Sequence, residues 1–127
     1  MESSMEIEDL YNTVGEAAIT RMIAAFYAQV PADDILAAMY PPEDLPGAEQ
    51  RLRDFLIFRF GGPQQYIEQR GHPRLRQRHA PFQIDQRARD RWMELMTKAL
   101  NESDFPPEAR TAVLDFFGTT ATFMINR

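Results

Sequence analysis

Gly61-Gly62-Pro63-Gln64-Gln65-Tyr66-Ile67-Glu68-Gln69-Arg70-Gly71-His72-Pro73-Arg74-Leu75-Arg76-Gln77-Arg78-His79-Ala80-Pro81-Phe82 is the stretch that decides the reading of this chain. Two glycines and a proline stop any helix that precedes them. Both histidines of the chain, His72 and His79, lie inside it, and they are not equivalent. Pro73 follows His72 and biases its backbone toward an extended or turn conformation. The same proline suits the first position of a helix, where a backbone N–H would lack a partner anyway. From Pro73 to His79 there is room for nearly two helical turns. Pro81 then ends the run and pushes Ala80 out of helical geometry. His79 is therefore expected in the last turn of a short helix bracketed by prolines. An imidazole held in this way has a fixed direction, which an axial metal ligand needs.

Composition narrows the alternatives. One domain is the natural count for 127 residues. Hydrophobic residues make up 44% and aromatics 11%, enough for a core and too much for a disordered chain. The lack of cysteine excludes disulfides, thiolate metal sites, cysteine nucleophiles and covalent C-x-x-C-H haem attachment. It also suits the reducing cytosol. Met1 to Leu10 is acidic and has no apolar core of the signal-peptide kind. No apolar run is long enough to span a bilayer, so a cytoplasmic protein with no membrane partner is expected. The net charge of -5 argues against a nucleic-acid partner. Arg70, Arg74, Arg76, Arg78, Arg87, Arg89 and Arg91 nevertheless supply seven of the 14 basic residues. Such a cluster reads either as a solvated face or as an anion site, because arginine forks match carboxylates.

Outward from the central stretch, the pattern is helical on both sides. Residues 1–9 read as a short flexible leader, frayed through about residue 8, and 10–127 as the folded domain. Ile7, Leu10, Tyr11 and Val14 suggest a short first helix that Gly15 ends. From Glu16 to Val30, Ile19, Met22, Ile23, Phe26, Tyr27 and Val30 form one apolar stripe. Asp33 and Asp34 can cap a one-turn helix through Ala38, and Tyr40-Pro41-Pro42 forces an extended corner. Gly47 to Phe60 is the next helix, with Ala48, Leu52, Phe55, Leu56 and Phe60 inward. Beyond it, Gln64 to Arg70 reads as a short helical turn. Asp85 is an N-cap for a helix to Asn101 with Ala88, Trp92, Leu95, Met96 and Ala99 inward. A last helix spans Pro107 to Ile125, with Val113, Phe116, Phe117, Thr120 and Met124 inward. No period-2 strand pattern stands out. The fold class is all-α, with an irregular segment of about twenty residues where a bundle would have a short loop.

Several chemistries fall away. One histidine cannot make a zinc site, and no H-E-x-x-H motif supplies further ligands. It suffices for haem iron, because the porphyrin contributes four nitrogens. The other reading of His79 is a histidine satisfied by a carbonyl. No nucleophile triad is credible, because His79 has no acid partner in sequence. Gly61-Gly62 follows a helix and precedes a proline, so it is not a phosphate loop. Tyr27, Tyr40 and Trp92 are amphipathic aromatics that pack in a core with a bonded polar tip. Gathered in one apolar pocket, they would direct hydrogen bonds at a small polar ligand.

Phe26-Tyr27-Ala28-Gln29-Val30, Tyr40-Pro41, Gly61-Gly62-Pro63, Tyr66, Gly71-His72-Pro73, Leu75-Arg76, Arg78-His79-Ala80-Pro81-Phe82 and Trp92 together resemble the group II truncated haemoglobins. The resemblance runs from about Tyr11 to Asn126. It implies a globin-like two-over-two helical sandwich around haem b, with His79 as the proximal iron ligand. Tyr27, Tyr40 and Trp92 match the polar residues of the distal pocket, and Ala48 stands where other globins carry a distal histidine. Leu52 and Phe55 would wall that pocket. Arg51, Tyr66 and Arg78 match positions that hold the haem propionates, and Phe82 lies beside the proximal ligand. The implied function is reversible binding of dioxygen, carbon monoxide or nitric oxide at a pentacoordinate iron. An enzymatic alternative is peroxide reduction or nitric oxide dioxygenation. The latter needs a separate reductase as partner, since the chain has no flavin or nicotinamide motif. A monomer or homodimer is expected.

Overall fold

The α1 helix, Leu10–Gln29, is the central element of the fold. Its residues Ile19, Met22, Ile23, Phe26 and Tyr27 recur at helical spacing with Val30 just beyond its end, and all six are buried. Gly15 adopts φ 84° and ψ 159° inside it, so α1 is two helical segments meeting at a kink. Only glycine takes that conformation cheaply, and the break falls where the sequence placed a helix end.

The computed structural model describes residues 5–63 and 84–126. Ile7–Asp9 form a 3-10 turn ahead of α1. Ile7 packs against the core, and the Glu8 carboxylate accepts from Arg59 at 2.8 Å. The chain is thus seated on the domain from Ile7 onward, earlier than its acidic composition suggests. Val30–Ala32 form another 3-10 turn. Asp33 then caps the following turn, accepting from the Ile35 N–H at 3.1 Å and the Leu36 N–H at 2.8 Å. Pro41 is extended, with φ -55° and ψ 133°, before a short 3-10 turn at Pro42–Asp44.

The α2 helix, Leu45–Arg59, begins two residues before the expected Gly47, because Pro46 is accommodated in its first turn. Its end is a Schellman motif. Gly62 N–H reaches the Ile57 carbonyl at 2.7 Å, and Gly61 N–H reaches the Phe58 carbonyl at 3.2 Å. Gly61 has φ 95°, and a Cβ there would lie 1.9 Å from the Glu8 carbonyl oxygen. The glycine stop therefore both ends α2 and admits the N-terminal segment against it.

The α3 helix, Gln86–Asn101, starts where Asp85 accepts from the Ala88 N–H at 2.8 Å. Pro107–Phe123 form α4. Packing pairs α1 with α2 and α3 with α4, and α1 crosses onto α3 to join the two pairs. This is the all-α two-over-two arrangement, with no strand among the described residues. At the far end, Asn126 N–H donates to the Ile84 carbonyl at 2.8 Å, and its side-chain oxygen accepts from Ile84 N–H at 2.9 Å. The end of the chain is thereby tied to the approach to α3. Among the described residues, no helix is long and apolar enough to cross a membrane.

Candidate functional site

Between the two helix pairs lies a cavity of about 310 Å³. Tyr27 contributes from α1, and Ala48, Arg51, Leu52 and Phe55 from α2. Leu36, Met39 and Tyr40 come from the corner between them. Ala88, Arg89 and Trp92 face it from α3, and Phe117, Thr120 and Ala121 from α4. The α2, α3 and α4 helices reach the cavity with residues three or four positions apart, as one helical face must. The walls are mainly apolar, with few polar groups, the composition expected of a cofactor or small-ligand site.

Three polar aromatics cluster on one wall. The Tyr27 and Tyr40 rings are 5.7 Å apart and perpendicular. Phe26 stacks between the neighbours of this cluster, 5.0 Å from Tyr27 and 5.1 Å from Trp92. Trp92 also meets Phe117 edge-on at 5.2 Å. The Tyr40 hydroxyl meets the Trp92 and Tyr27 side chains. Indole N–H can only donate, so Tyr40 accepts from Trp92. The Tyr27 hydroxyl also points to the Ala48 carbonyl, at 3.3 Å. Burial pushes both phenols above the ordinary tyrosine value, and at Tyr27 the neighbouring Tyr40 adds to the effect. At Tyr40 the bonds from Trp92 and Tyr27 act in the opposite sense to burial. Both hydroxyls thus stay protonated and can donate.

Among the described residues, charge on the cavity wall comes from Arg51, Arg89 and Asp44. Arg51 pairs with Asp44 at 2.7 Å. Arg89 lies across α4, with Nη2 3.1 Å from the Gly118 carbonyl and Nε 3.1 Å from the Thr122 hydroxyl. A Cβ on residue 118 would stand 3.5 Å from that guanidinium, an ordinary contact distance.

Tyr27, Tyr40, Trp92, Ala48, Leu52, Phe55 and Arg51, singled out in the sequence, all meet on this one cavity. His79, Tyr66, Arg78 and Phe82 lie outside the described residues. Sequence reasoning named Arg89 only within the arginine cluster, and it passed over Leu36 and Met39. Arg89 carried a usable signal, because it stands three residues before Trp92 and so shares its side of α3. Leu36 and Met39 carried none, since an isolated helical turn has no periodicity to read.

Comparison with known proteins places the fold and the cavity in context. The profile of the family described as bacterial-like globin matches residues 9–126. Group 2 truncated hemoglobin YjbI of Bacillus subtilis is 32% identical over 117 residues, spanning 92% of this chain and 88% of that one. The crystal structure of a hemoglobin from the thermophilic phototrophic bacterium Chloroflexus aurantiacus superposes with a TM-score of 0.88 at 46% identity, covering 94% of this chain and 98% of that one. A truncated oxygen-avid haemoglobin from Bacillus subtilis superposes with a TM-score of 0.86 at 31% identity, covering 93% and 99%. The chain belongs to the bacterial-like globin family, and within it to the group II truncated haemoglobins, globins that bind small ligands at haem.

Proposed function

We propose that this protein reversibly binds dioxygen, and with it carbon monoxide and nitric oxide, at haem b held by His79. When bound, haem would supply an iron at which such ligands bind, with His79 as its ligand from the protein. The observation that carries the reading is the cluster of Trp92, Tyr40 and Tyr27 on an otherwise apolar cavity. Tyr40 accepts from Trp92, and its own O–H can donate to a ligand in the cavity. Trp92 can turn the donor it gives Tyr40 toward the same ligand, and Tyr27 the one it gives the Ala48 carbonyl. Each such bond is worth about 1 kcal/mol, and more to an acceptor with negative charge. Two or three of them slow ligand loss by roughly a hundredfold.

The residues present suit a flat apolar cofactor with an anionic edge. A cavity of about 310 Å³ lies within the usual range of such sites, about 300–1,000 Å³. Leu52, Phe55 and Phe117 give apolar walls. Arg51 and Arg89 give guanidinium forks that match carboxylates, and the family resemblance adds Tyr66 and Arg78. The oxygen-avid character of the Bacillus subtilis relative supports dioxygen as the first ligand. Stopped-flow measurement of dioxygen release tests the reading. Trp92→Phe, Tyr40→Phe and Tyr27→Phe combined should release the ligand roughly a hundredfold faster. An unchanged rate in the triple variant refutes it.

One observation favours a second, enzymatic reading. Two phenols and an indole in mutual contact at the cavity wall are oxidisable electron donors. They suit peroxide reduction, and the same site suits conversion of nitric oxide to nitrate when a separate reductase supplies electrons. Peroxide turnover no greater than that of free haem removes the peroxidase reading.

A further inference from the structure

Arg91 precedes Trp92 on α3, and its guanidinium reaches the corner segment that carries Tyr40. Nη1 forms a short ion pair with Asp33 Oδ1 and lies 3.2 Å from Asp34 Oδ1. Nε lies 3.3 Å from Glu94 Oε1, one turn along the same helix. The two partners differ in how they meet solvent: the Asp33 side chain is 8% exposed, and that of Asp34 is 79% exposed. Exposed pairs contribute little. Removing one member of a sheltered pair is costly, because the other is left charged and unpaired. The Arg91–Asp33 pair is therefore the one that matters.

Asp33 uses its two oxygens for two elements. Oδ1 faces Arg91 of α3, while Oδ2 accepts from the Ile35 and Leu36 N–H groups. The capped turn continues through Ala37 N–H to the Asp33 carbonyl at 2.9 Å and Tyr40 N–H to the Leu36 carbonyl at 3.1 Å. A chain of bonds thus runs from Arg91 through Asp33 and Leu36 to the Tyr40 backbone. It closes through the Tyr40 hydroxyl and the Trp92 indole, next to Arg91 in sequence. The corner ends in two prolines with fixed φ, so it shifts as a unit if its tie to α3 is cut.

We infer that Arg91 and Asp33 are positioning residues, and that their ion pair sets the Tyr40 hydroxyl against the Trp92 indole on the cavity wall. Neither side chain lines the cavity, so both act through Tyr40. The inference rests on the reading of Tyr40 and Trp92 as the groups that hold the ligand.

The test uses the haem-loaded full chain. Arg91→Met, Asp33→Asn and Arg91→Lys are each made in the native and the Tyr40→Phe backgrounds. Two quantities are read: the dioxygen release rate, and the ultraviolet resonance Raman band that reports indole N–H hydrogen bonding. Trp92 is the single tryptophan, so the band has one source. Arg91→Met and Asp33→Asn should each speed release on the order of fivefold and shift the band toward a weaker hydrogen bond. Arg91→Lys should recover part of both, since it keeps the charge and loses the fork. With Tyr40→Phe in place, the same substitutions should leave release unchanged. An equal acceleration in both backgrounds, or an unmoved indole band, overturns the inference. Should Arg91→Met fail to load haem, Asp33→Asn decides, because asparagine still caps the turn. If Tyr40→Phe and Trp92→Phe do not themselves alter release, the pocket reading fails and this inference falls with it. If they do and Asp33→Asn is silent, only the positioning role fails.

Discussion

At the scale of single residues, the distal wall is a set of mutually satisfied donors and acceptors. The Tyr27 hydroxyl donates to the Ala48 carbonyl at 3.3 Å, and Tyr40 accepts from Trp92. Tyr27→Phe should therefore cost about 1 kcal/mol of stability, read as a lower urea midpoint with an unchanged slope. The phenols also define a pH response. Burial raises both above the unfolded tyrosine value of about 10. Stability from this cluster is fully present below that value and is lost as pH rises toward the higher folded values. Ligand release should accordingly stay flat from about pH 7 to about pH 10, and a phenolate transition well below that range would contradict the buried, hydrogen-bonded placement. The types of these residues and their helical phase were legible in the chain. The Ala48 carbonyl as partner was not, because it lies 21 residues away and any residue has a carbonyl.

At the scale of elements, local chemistry did most of the work. Asp85 begins α3 and Gly61 ends α2, each by a short-range rule that reads directly from sequence. Asp85→Ala should lower stability by about 1 kcal/mol, a shift in Tm of about 4 °C. Gly61→Ala should cost more than about 1 kcal/mol, since the positive φ is disfavoured and the added Cβ meets the Glu8 carbonyl. A thermal melt of each variant checks both values. The corner gives a second pH response. Burial opposes charge on Asp33, but bonds from the Leu36 N–H and Arg91 more than offset it and hold the carboxyl below its ordinary range. Its contribution is present above the unfolded value of about 3.9 and is lost as pH falls through the depressed folded value. Arg91, Asp34 and Glu94 are the charged groups around it. The Tyr40–Trp92 contact should therefore persist down to about pH 5 and loosen only below about pH 4, as followed by the indole Raman band. The cap at Asp33 was readable, whereas its tie to Arg91, 58 residues on, was not. Ile84 and Asn126, 42 residues apart, are likewise joined only by the tertiary fold.

At the scale of the whole molecule, the two helix pairs enclose a mainly apolar cavity, lined among others by Leu52, Phe55, Phe117 and Trp92. A ligand that binds only the folded state stabilises it by mass action, so haem removal should lower Tm and reduce helical ellipticity, and haem addition should restore both. The four helices were legible because apolar stripes are sequence-local patterns, whereas the two-over-two plan came from the family resemblance alone. How the stripes enclose a cavity depends on contacts between α1, α2, α3 and α4 that no single stripe encodes. The most direct test of the central claim is an absorption spectrum of the purified chain, ferric and then reduced, with and without carbon monoxide. A Soret band that shifts on reduction and again with carbon monoxide, and that is lost in His79→Ala until imidazole is added, is the predicted result. A spectrum that stays featureless after hemin is added, or a Soret response unaltered in His79→Ala, would contradict the account.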